Sequence, residues 1–512
     1  MSENQNTKRI AINTIILYIR MVIVMFIALY TSRLVLGSLG VEDYGLYNVI
    51  GGVVSLFSFL RTTLEQGSQR FLNFEMGLPG GNVNKVFSCS FTIHCLAAII
   101  TLIILETIGL WFVNSSINID HTRIVAANWV YQSVVFSLFI TILTVPFSAD
   151  IISHEKLSYY AIVSIIDSIL KLSIAFAISF DEGDRLILYA ILMSLISLVD
   201  FFLYYLYARN KFYEARISIS FDSEILKRMF GFTSWTVLGQ TTSLVANQGN
   251  NILLNMFHGV AANAAMGIGD QIGSALMGLS GGFQKAFNPQ LTKSFAEKNF
   301  DYVKKLLYSA SKLSFLLMFF CALPIIYNID AILKIWLITV PDDTSIFAII
   351  FIMQGIINAL STPLNFCVVA SGQIKSAQIC SAIVYISDLF LLYFLFFCGL
   401  PSVTAACVKL LVVVVDLFVR LHFACLYLPT IDKRTYWKFM LIPLIKTVFF
   451  TVVLFLVLKS FFHGLLGDLI ATVLLFSISF LLSYFITLDD SERNHVKKII
   501  ISKVLRYIVN KK

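Results

Sequence analysis

Ten ionisable side chains, Arg20, Arg33, Asp167, Lys171, Asp270, Asp388, Lys409, Asp416, Arg420 and Lys446, stand in or beside stretches otherwise apolar enough for hydrocarbon. Each costs about 2.5–3.5 kcal/mol at the centre of a membrane helix on insertion scales, so such groups face protein or water. Lys409, Asp416 and Arg420 are spaced by seven and four, which at about 100° per residue sets them on one helical stripe. Asp167 and Lys171 stand one turn apart, acid first, the favourable order for an ion pair. Gln240, Asn247 and Asn251 repeat the seven-and-four spacing as a neutral polar stripe. Two chemistries are open to these groups. In one, Arg20, Lys171, Lys409 and Arg420 line a cationic cavity for an anionic head group, with Arg33 as a rim cation and the neutral stripe beside them. In the other they are interhelical polar contacts or snorkelling side chains. The second reading suits Arg33 and Lys446 at span ends, and Asp270, which sits at a close packing site between Gly269 and Gly273. Arg20 and Arg33 are thirteen residues apart, about 220° round a helix, so both cannot point directly inward. Asp270, Asp167, Asp388 and Asp416 are the candidates for coupling to H+ or Na+. Pro146 and Pro363 are candidate hinges, or plain kinks.

No catalytic set is found. The outer acids Glu42, Asp43, Asp181, Glu182, Asp184, Asp342 and Asp343 fall in tight turns without a helper group. The seven histidines form no metal-ligand spacing, and the eight cysteines lie singly in apolar segments without a CxxC pair, so neither a metal nor an organic cofactor is expected.

What positions these groups is a membrane bundle. The chain has 512 residues, 58% hydrophobic and 13% charged, with a mean hydropathy of +0.83, far from the composition of a soluble domain. MSENQNTKRIAINT is polar and leads into an apolar run with no small-residue cleavage site, so the first run is expected to stay as a membrane helix. A ruler of about 20 apolar residues finds fourteen spans, near 10–36, 44–63, 87–112, 124–149, 158–180, 186–207, 229–255, 263–287, 307–337, 345–370, 376–398, 402–427, 437–461 and 464–487. They are expected to be α-helices, since unpaired backbone is costly in lipid and no barrel alternation is present. Lys and Arg gather on alternate loops, Arg61 and Arg70 among them, while the other side holds only Arg123 and Arg185. By the positive-inside rule both termini are cytoplasmic. The net charge of +8 thus marks one membrane face rather than nucleic-acid binding. The tail HVKKIIISKVLRYIVNKK sets Val496, Ile500, Val504 and Ile508 against lysines, which suits a helix lying on anionic lipid or a solubilising tail.

The sequence repeats. LGSLGVEDYGLYNVIGG aligns with NMFHGVAANAAMGIGDQ at an offset of 219, and Pro146 meets Pro363 at 217. Two anchors with nearly one period predict duplication. An even number of helices per half implies two like-oriented lobes related by a pseudo-two-fold axis along the membrane normal. The expected parts are a six-helix lobe at 1–208, a cytoplasmic linker at 209–228, a second lobe at 229–428, helices 13 and 14 at 429–487, and a basic tail at 488–512. Such halves predict a cavity that opens to one side at a time.

Four stretches carry a family likeness: the N-terminal KRIAINTIILYIRMVIVMFIALYTSRLVLGSLGVEDYGLYNVIGG, then EQGSQRFLNFEMG, HEKLSYYAIVSI and FNPQLTKSFAEKN. They resemble bacterial polysaccharide flippases of the Wzx type, in the MOP superfamily that also holds the multidrug (MATE) extruders and the lipid II flippase. The resemblance implies a MATE-like fold. It further implies translocation of undecaprenyl-pyrophosphate-linked oligosaccharide units from the inner to the outer leaflet of the bacterial inner membrane, for O-antigen, capsule or exopolysaccharide. A polysaccharide polymerase and a chain-length regulator would be partners beside the membrane lipids. The alternatives are a multidrug/cation antiporter of the same superfamily, which would want an acidic cavity, and a membrane polymerase or glycosyltransferase. The extruders often carry a coupling acid in the first helix, where this chain has Arg20.

Overall fold

The computed structural model describes residues 3–55, 57–116, 121–180, 182–337, 340–462, 464–490 and 492–493. Residues 494–512, with Val496, Ile500, Val504 and Ile508 of the tail, lie outside the described residues, as does Asp181.

The described residues form fourteen long helical segments and no strand. They are α1 (3–39), α2 (41–77, interrupted at 56–57), α3 (83–116), α4 (Ile124–Ser153), α5 (Leu157–Ala177), α6 (Arg185–Lys211), α7 (223–258), α8 (260–296), α9 (Phe300–Tyr327), α10 (Thr344–Ser371), α11 (Lys375–Phe397), α12 (Thr404–Tyr427), α13 (Lys433–Phe461) and α14 (Leu465–Ile486). The span expected at 307–337 ends at Tyr327, and a separate short helix, Ile329–Trp336, follows it.

Two of these junctions are a single residue long. Helix α1 passes into α2 at Gly40, with φ 77° and ψ 174°, and α7 passes into α8 at Gly259, with φ 80° and ψ −176°. That corner of backbone space is essentially reserved for glycine. The two glycines are the pair matched at the 219 offset, so the repeat seen in the sequence is also a repeat of backbone conformation. Pro146 and Pro363, the other anchor, are both buried inside their helices, α4 and α10.

Eleven of the helices are long and apolar enough to cross a membrane by length and composition, which makes the chain a multi-pass membrane protein. The three that miss that standard are α2, α7 and α8. Helix α2 explains a correction: Arg61 and Arg70, read as loop residues, lie inside a helix that continues to Gly77. Arg20 and Arg61 stand 20 and 21 residues either side of Gly40, so each is about 30 Å along its own helix from the hairpin.

The chain divides into two compact units. The first comprises Met1–Asn247, Gly281–Val303 and Phe366–Ile386; the second comprises Gln248–Ser280, Lys304–Asn365 and Ser387–Lys512. The first therefore contains the expected N-terminal lobe and linker together with pieces of α7, α8, α10 and α11 and the first residues of α9. Within it, the linker between α6 and α7 runs along α3. Ser218 Oγ meets Ser88 Oγ at 2.8 Å, Ser220 N donates to Thr92 Oγ1 at 3.1 Å, and Lys85 pairs with Asp222 at 2.7 Å. The Lys85 hydrogen bond, with backbone donors at the start of α7, holds the Asp222 carboxyl below its ordinary range.

Among the outer acids, Asp43 and Asp184 are partners of Arg123, whose Nε donates to Asp43 at 2.9 Å and whose Nη1 donates to Asp184 at 2.7 Å. Asp184 also caps α6 by accepting from Leu186 N and Ile187 N. These acids tie helix ends together.

Candidate functional site

The first unit encloses a cavity of about 450 Å³ among α1, α2, α4, α5 and α6. Arg20, Arg61, Asp167, Lys171, Tyr160 and Asp200 line it, with serine and threonine hydroxyls between them. It is reached by physical necessity: a polar side chain within an apolar helix must be turned to protein or water, and five helices turn theirs to one place.

Its charges are arranged unevenly. Lys171 Nζ is 2.9 Å from Asp167 Oδ2, the pair expected from their spacing. Asp200, whose Oδ1 is buried without a hydrogen-bond partner, lies beside Asp167 and feels Lys171 and Arg61. Arg20 lies with its guanidinium carbon 5.0 Å from the Tyr160 ring centre, and its buried Nε has no hydrogen-bond partner. On the same ring, Lys285 Nζ stands 5.2 Å from the centre and 3.3 Å from the hydroxyl. Among the described residues, neither Arg20 nor Arg61 has a carboxylate within ion-pair distance. Two cations on one phenol ring repel each other, and an anion seated among them would remove that repulsion.

The second unit holds a different set. Asp388 is 3% exposed and accepts from Asn250 Nδ2 at 2.6 Å, while its other oxygen has no partner. Lys409 feels both Asp388 and Asp270 and lies 5.6 Å from the centre of Phe351. Arg420 pairs with buried Asp416 at 2.7 Å and donates to Ser361 Oγ at 3.4 Å. Arg420 is thus committed to a carboxylate, unlike Arg20 and Arg61, while Lys409 feels its two acids from beyond ion-pair distance.

The remaining residues singled out by spacing are placed as follows. Arg33 and Lys446 are exposed. Gln240 is half-buried and Asn247 exposed, and Asn251 accepts through its backbone carbonyl from Asn263 at 3.1 Å. The α7 side chain that binds a carboxylate is their neighbour Asn250. Asp270 is exposed, and its flanking glycines are packing sites: a Cβ on Gly269 would lie 2.9 Å from Ala348 N, and one on Gly273 2.9 Å from Phe351 Cβ. Spacing missed Asn250, Arg61, Asp200 and the Tyr160–Lys285 contact. Asp200 had the same signal as Asp167, an acid inside an apolar run.

All four stretches that carry the family likeness meet in the first unit. Glu155, at φ 58°, accepts from Gln290 Nε2 at 3.1 Å and lies 3.6 Å from Lys293 Nζ. Its backbone carbonyl accepts from Asn13 Nδ2 at 3.4 Å. At the end of α2, a Cβ on Gly77 would collide with the Lys293 carbonyl. Beside them His154 stacks on Phe212 at 3.9 Å and binds Glu214 at 2.7 Å.

No family profile matches the chain, and no curated protein is similar to it in sequence. Solved structures do match in fold. An outward-facing multidrug resistance MATE family transporter of the MOP superfamily superposes with a TM-score of 0.67 at 16% identity, covering 82% of this chain and 96% of that one. A MATE transporter in its straight conformation gives 0.67 at 16% identity over 82% and 97%. A MOP superfamily transporter from Pyrococcus furiosus, described as having a binding pocket of reverse polarity that suggests a different function, gives 0.63 at 16% identity over 81% and 96%. The chain shares the fold of these transporters.

Proposed function

We propose that this chain is a transporter, not an enzyme, and that its cargo is a lipid-linked oligosaccharide: a flippase carrying undecaprenyl-pyrophosphate-linked repeat units from the inner to the outer leaflet of a bacterial inner membrane, both termini cytoplasmic. The two lobes, 1–208 and 229–428, would alternate access, with helices 13 and 14 beside them. The observation that carries the cargo is the polarity of the first unit's cavity, where Arg20 and Arg61 stand without carboxylate partners and Lys285 shares the Tyr160 ring with Arg20. A glycan and a diphosphate cannot cross hydrocarbon unaided, and a wet cationic chamber supplies charge-assisted hydrogen bonds in place of water. The prenyl tail remains in lipid. A reversed pocket polarity has been described for a transporter of this fold, so the fold does not tie its members to cationic cargo.

Asp167 and Asp200 would couple transport to H+, because both line the cavity with Lys171 and Arg61 and a change in their charge acts on the same cations that hold the cargo. The same two acids favour a second reading, a multidrug/cation antiporter, since a deprotonated pair would hold a cation.

The deciding experiment is reconstitution. Protein in proteoliposomes containing a fluorescent undecaprenyl-pyrophosphate oligosaccharide should expose the label to a membrane-impermeant quencher. Arg20→Gln with Lys171→Gln should abolish that exposure while leaving insertion and monodispersity intact. If the variant flips normally while Asp200→Asn abolishes export of a cationic dye, the antiporter reading replaces this one.

A further inference from the structure

The first unit has a second polar pocket, separate from the cavity just described, with a volume of about 360 Å³. It is formed where the start of α7 and the end of α2 meet the turn from α10 to α11. Arg70, Lys227, Arg228 and Lys375 line it, with Trp235 and the turn residues Ser371 to Ile374. Among the described residues none of these four cations has a carboxylate within ion-pair distance. Glu75 attracts Arg70 at longer range, and Arg228 repels it.

The site is built rather than incidental. Arg70 is 6% exposed, wedged with its guanidinium carbon 4.6 Å from the centres of both Phe71 and Phe74. Its Nη2 donates to the Ala370 carbonyl at 3.3 Å, and its Nε is buried with no partner. The turn is shaped round it: Gly372 has φ 77° and a Cβ there would lie 3.0 Å from Arg70 Cζ, so only glycine lets the chain pass this close. Lys375, which begins α11 and lines the pocket, lies 5.0 Å from the Trp235 ring centre. Four cations, one of them desolvated, gather with a helix N-terminus in a space open to solvent and hold no counter-charge. That is the requirement for an oxyanion with several acceptor oxygens.

We propose that this pocket binds the phosphate or diphosphate head group of a membrane lipid. Arg70 provides the fixed electrostatic floor, Arg228 the bidentate fork, and Lys227 and Lys375 the mobile clamps. The site stands independently of the translocation reading: an anionic phospholipid and a prenyl diphosphate offer the same oxygens, and a regulatory or anchoring lipid would use it as well as a cargo.

The test uses full-length protein in nanodiscs of phosphatidylcholine, probed in three arms: inorganic pyrophosphate by calorimetry, and farnesyl diphosphate and cardiolipin by native mass spectrometry. At least one arm should bind, with affinity falling as salt rises. Each of Lys227→Gln, Arg228→Gln and Lys375→Gln should weaken it about tenfold, the scale of one charge-assisted contact, whereas Lys446→Gln, at an exposed cation that lines neither cavity, should leave it unchanged. Binding of pyrophosphate and farnesyl diphosphate assigns a diphosphate ligand, and binding of cardiolipin alone assigns a phospholipid. These three residues are exposed, so their variants fold, and Arg70, whose loss endangers packing, is left intact. If no arm binds, or if binding survives in all three variants, the proposal falls. If Arg20→Gln removes the binding, the ligand belongs to the other cavity and the proposal falls equally. Because the readout is binding, its failure and a failure of lipid flipping are scored separately.

Discussion

The two one-residue junctions make a quantitative test of the duplication. At Gly40 and Gly259 nothing lies within 4 Å of an added Cβ, yet both have φ near +80° with extended ψ. Alanine at either position meets no steric neighbour, so its whole cost is backbone strain, about 1–3 kcal/mol. Gly45 also has empty space round an added Cβ but a helical backbone, so Gly45→Ala should be neutral or stabilising by about 0.5–1 kcal/mol. An unfolding entropy of about 2.1 cal/mol/K per residue over 512 residues comes to roughly 1.1 kcal/mol/K, hence a shift of about 1 °C for each kcal/mol. That is a lower bound, since membrane helices retain order on heating. Gly40→Ala and Gly259→Ala should therefore each lower the midpoint of detergent-solubilised protein by about 1–3 °C or more, by similar amounts, while Gly45→Ala does not. The assay is the monodisperse fraction by size-exclusion chromatography after a temperature ramp. If Gly40→Ala melts with Gly45→Ala, the hairpin does not need its glycine. If only one of the two junction variants is destabilised, the halves are not built alike.

Three further outcomes follow from packing and charge. Asn250→Leu removes the donor from a carboxylate that is 3% exposed, which costs about 1–3 kcal/mol; adding Asp388→Asn should recover much of it, as a double-mutant cycle in thermal stability would show. Gly269→Leu drives a side chain into the backbone at Phe347 and Ala348 and should cost about 1–3 kcal/mol by overpacking, whereas Gly267→Ala, with open space at its Cβ, changes little in the same melt. Burial alone would raise the Glu214 carboxyl, but the His154 hydrogen bond and charge outweigh it and hold it below its ordinary value. A lowered folded value means its stabilisation is complete above the unfolded value, about 4.3, and is lost as pH falls through the folded one. Hydrogen exchange of residues 212–222 should therefore rise as pH falls below about 4.3, and Glu214→Gln should remove that step.

The hairpins, the fourteen helices and the Asp167–Lys171 pair were legible because each rests on a local rule: length, a glycine in matching places, or a one-turn spacing. What was not legible came from long-range packing. Arg61 was assigned to a loop because hydropathy fades before it, yet α2 continues as a helix to Gly77 and buries Thr63, Ser68, Gln69, Arg70 and Asn73. Asn250 rather than Asn251 meets Asp388, since a 100° difference on one helix is decided by the neighbour's position, which no single-helix pattern contains. Arg420 was grouped with Arg20 as a cavity cation although Asp416 stands one turn before it; the fold ties Arg420 to Asp416 and leaves Arg20 without a carboxylate within ion-pair distance among the described residues.

The three helices that fall short of the apolar ruler, α2, α7 and α8, carry Arg61, Arg70, Arg228, Asn250 and Lys285 among them, and a lipid-exposed helix cannot afford such groups. Helix α7 shows how one segment serves two solvents. Leu238, Val245 and Ile252, 43%, 55% and 59% exposed, recur every seven residues along one stripe. Gln240 and Asn247 recur at the same interval two residues on, about 200° away round the helix. If the first stripe lies against acyl chains, the second faces water. Single cysteines in a background with the eight native ones replaced should then react with a charged, membrane-impermeant thiol reagent at 240 and 247, and stay unreactive at 245 and 252. Reaction at 245 with silence at 247 would put lipid where the polar stripe is and remove the wet face of α7.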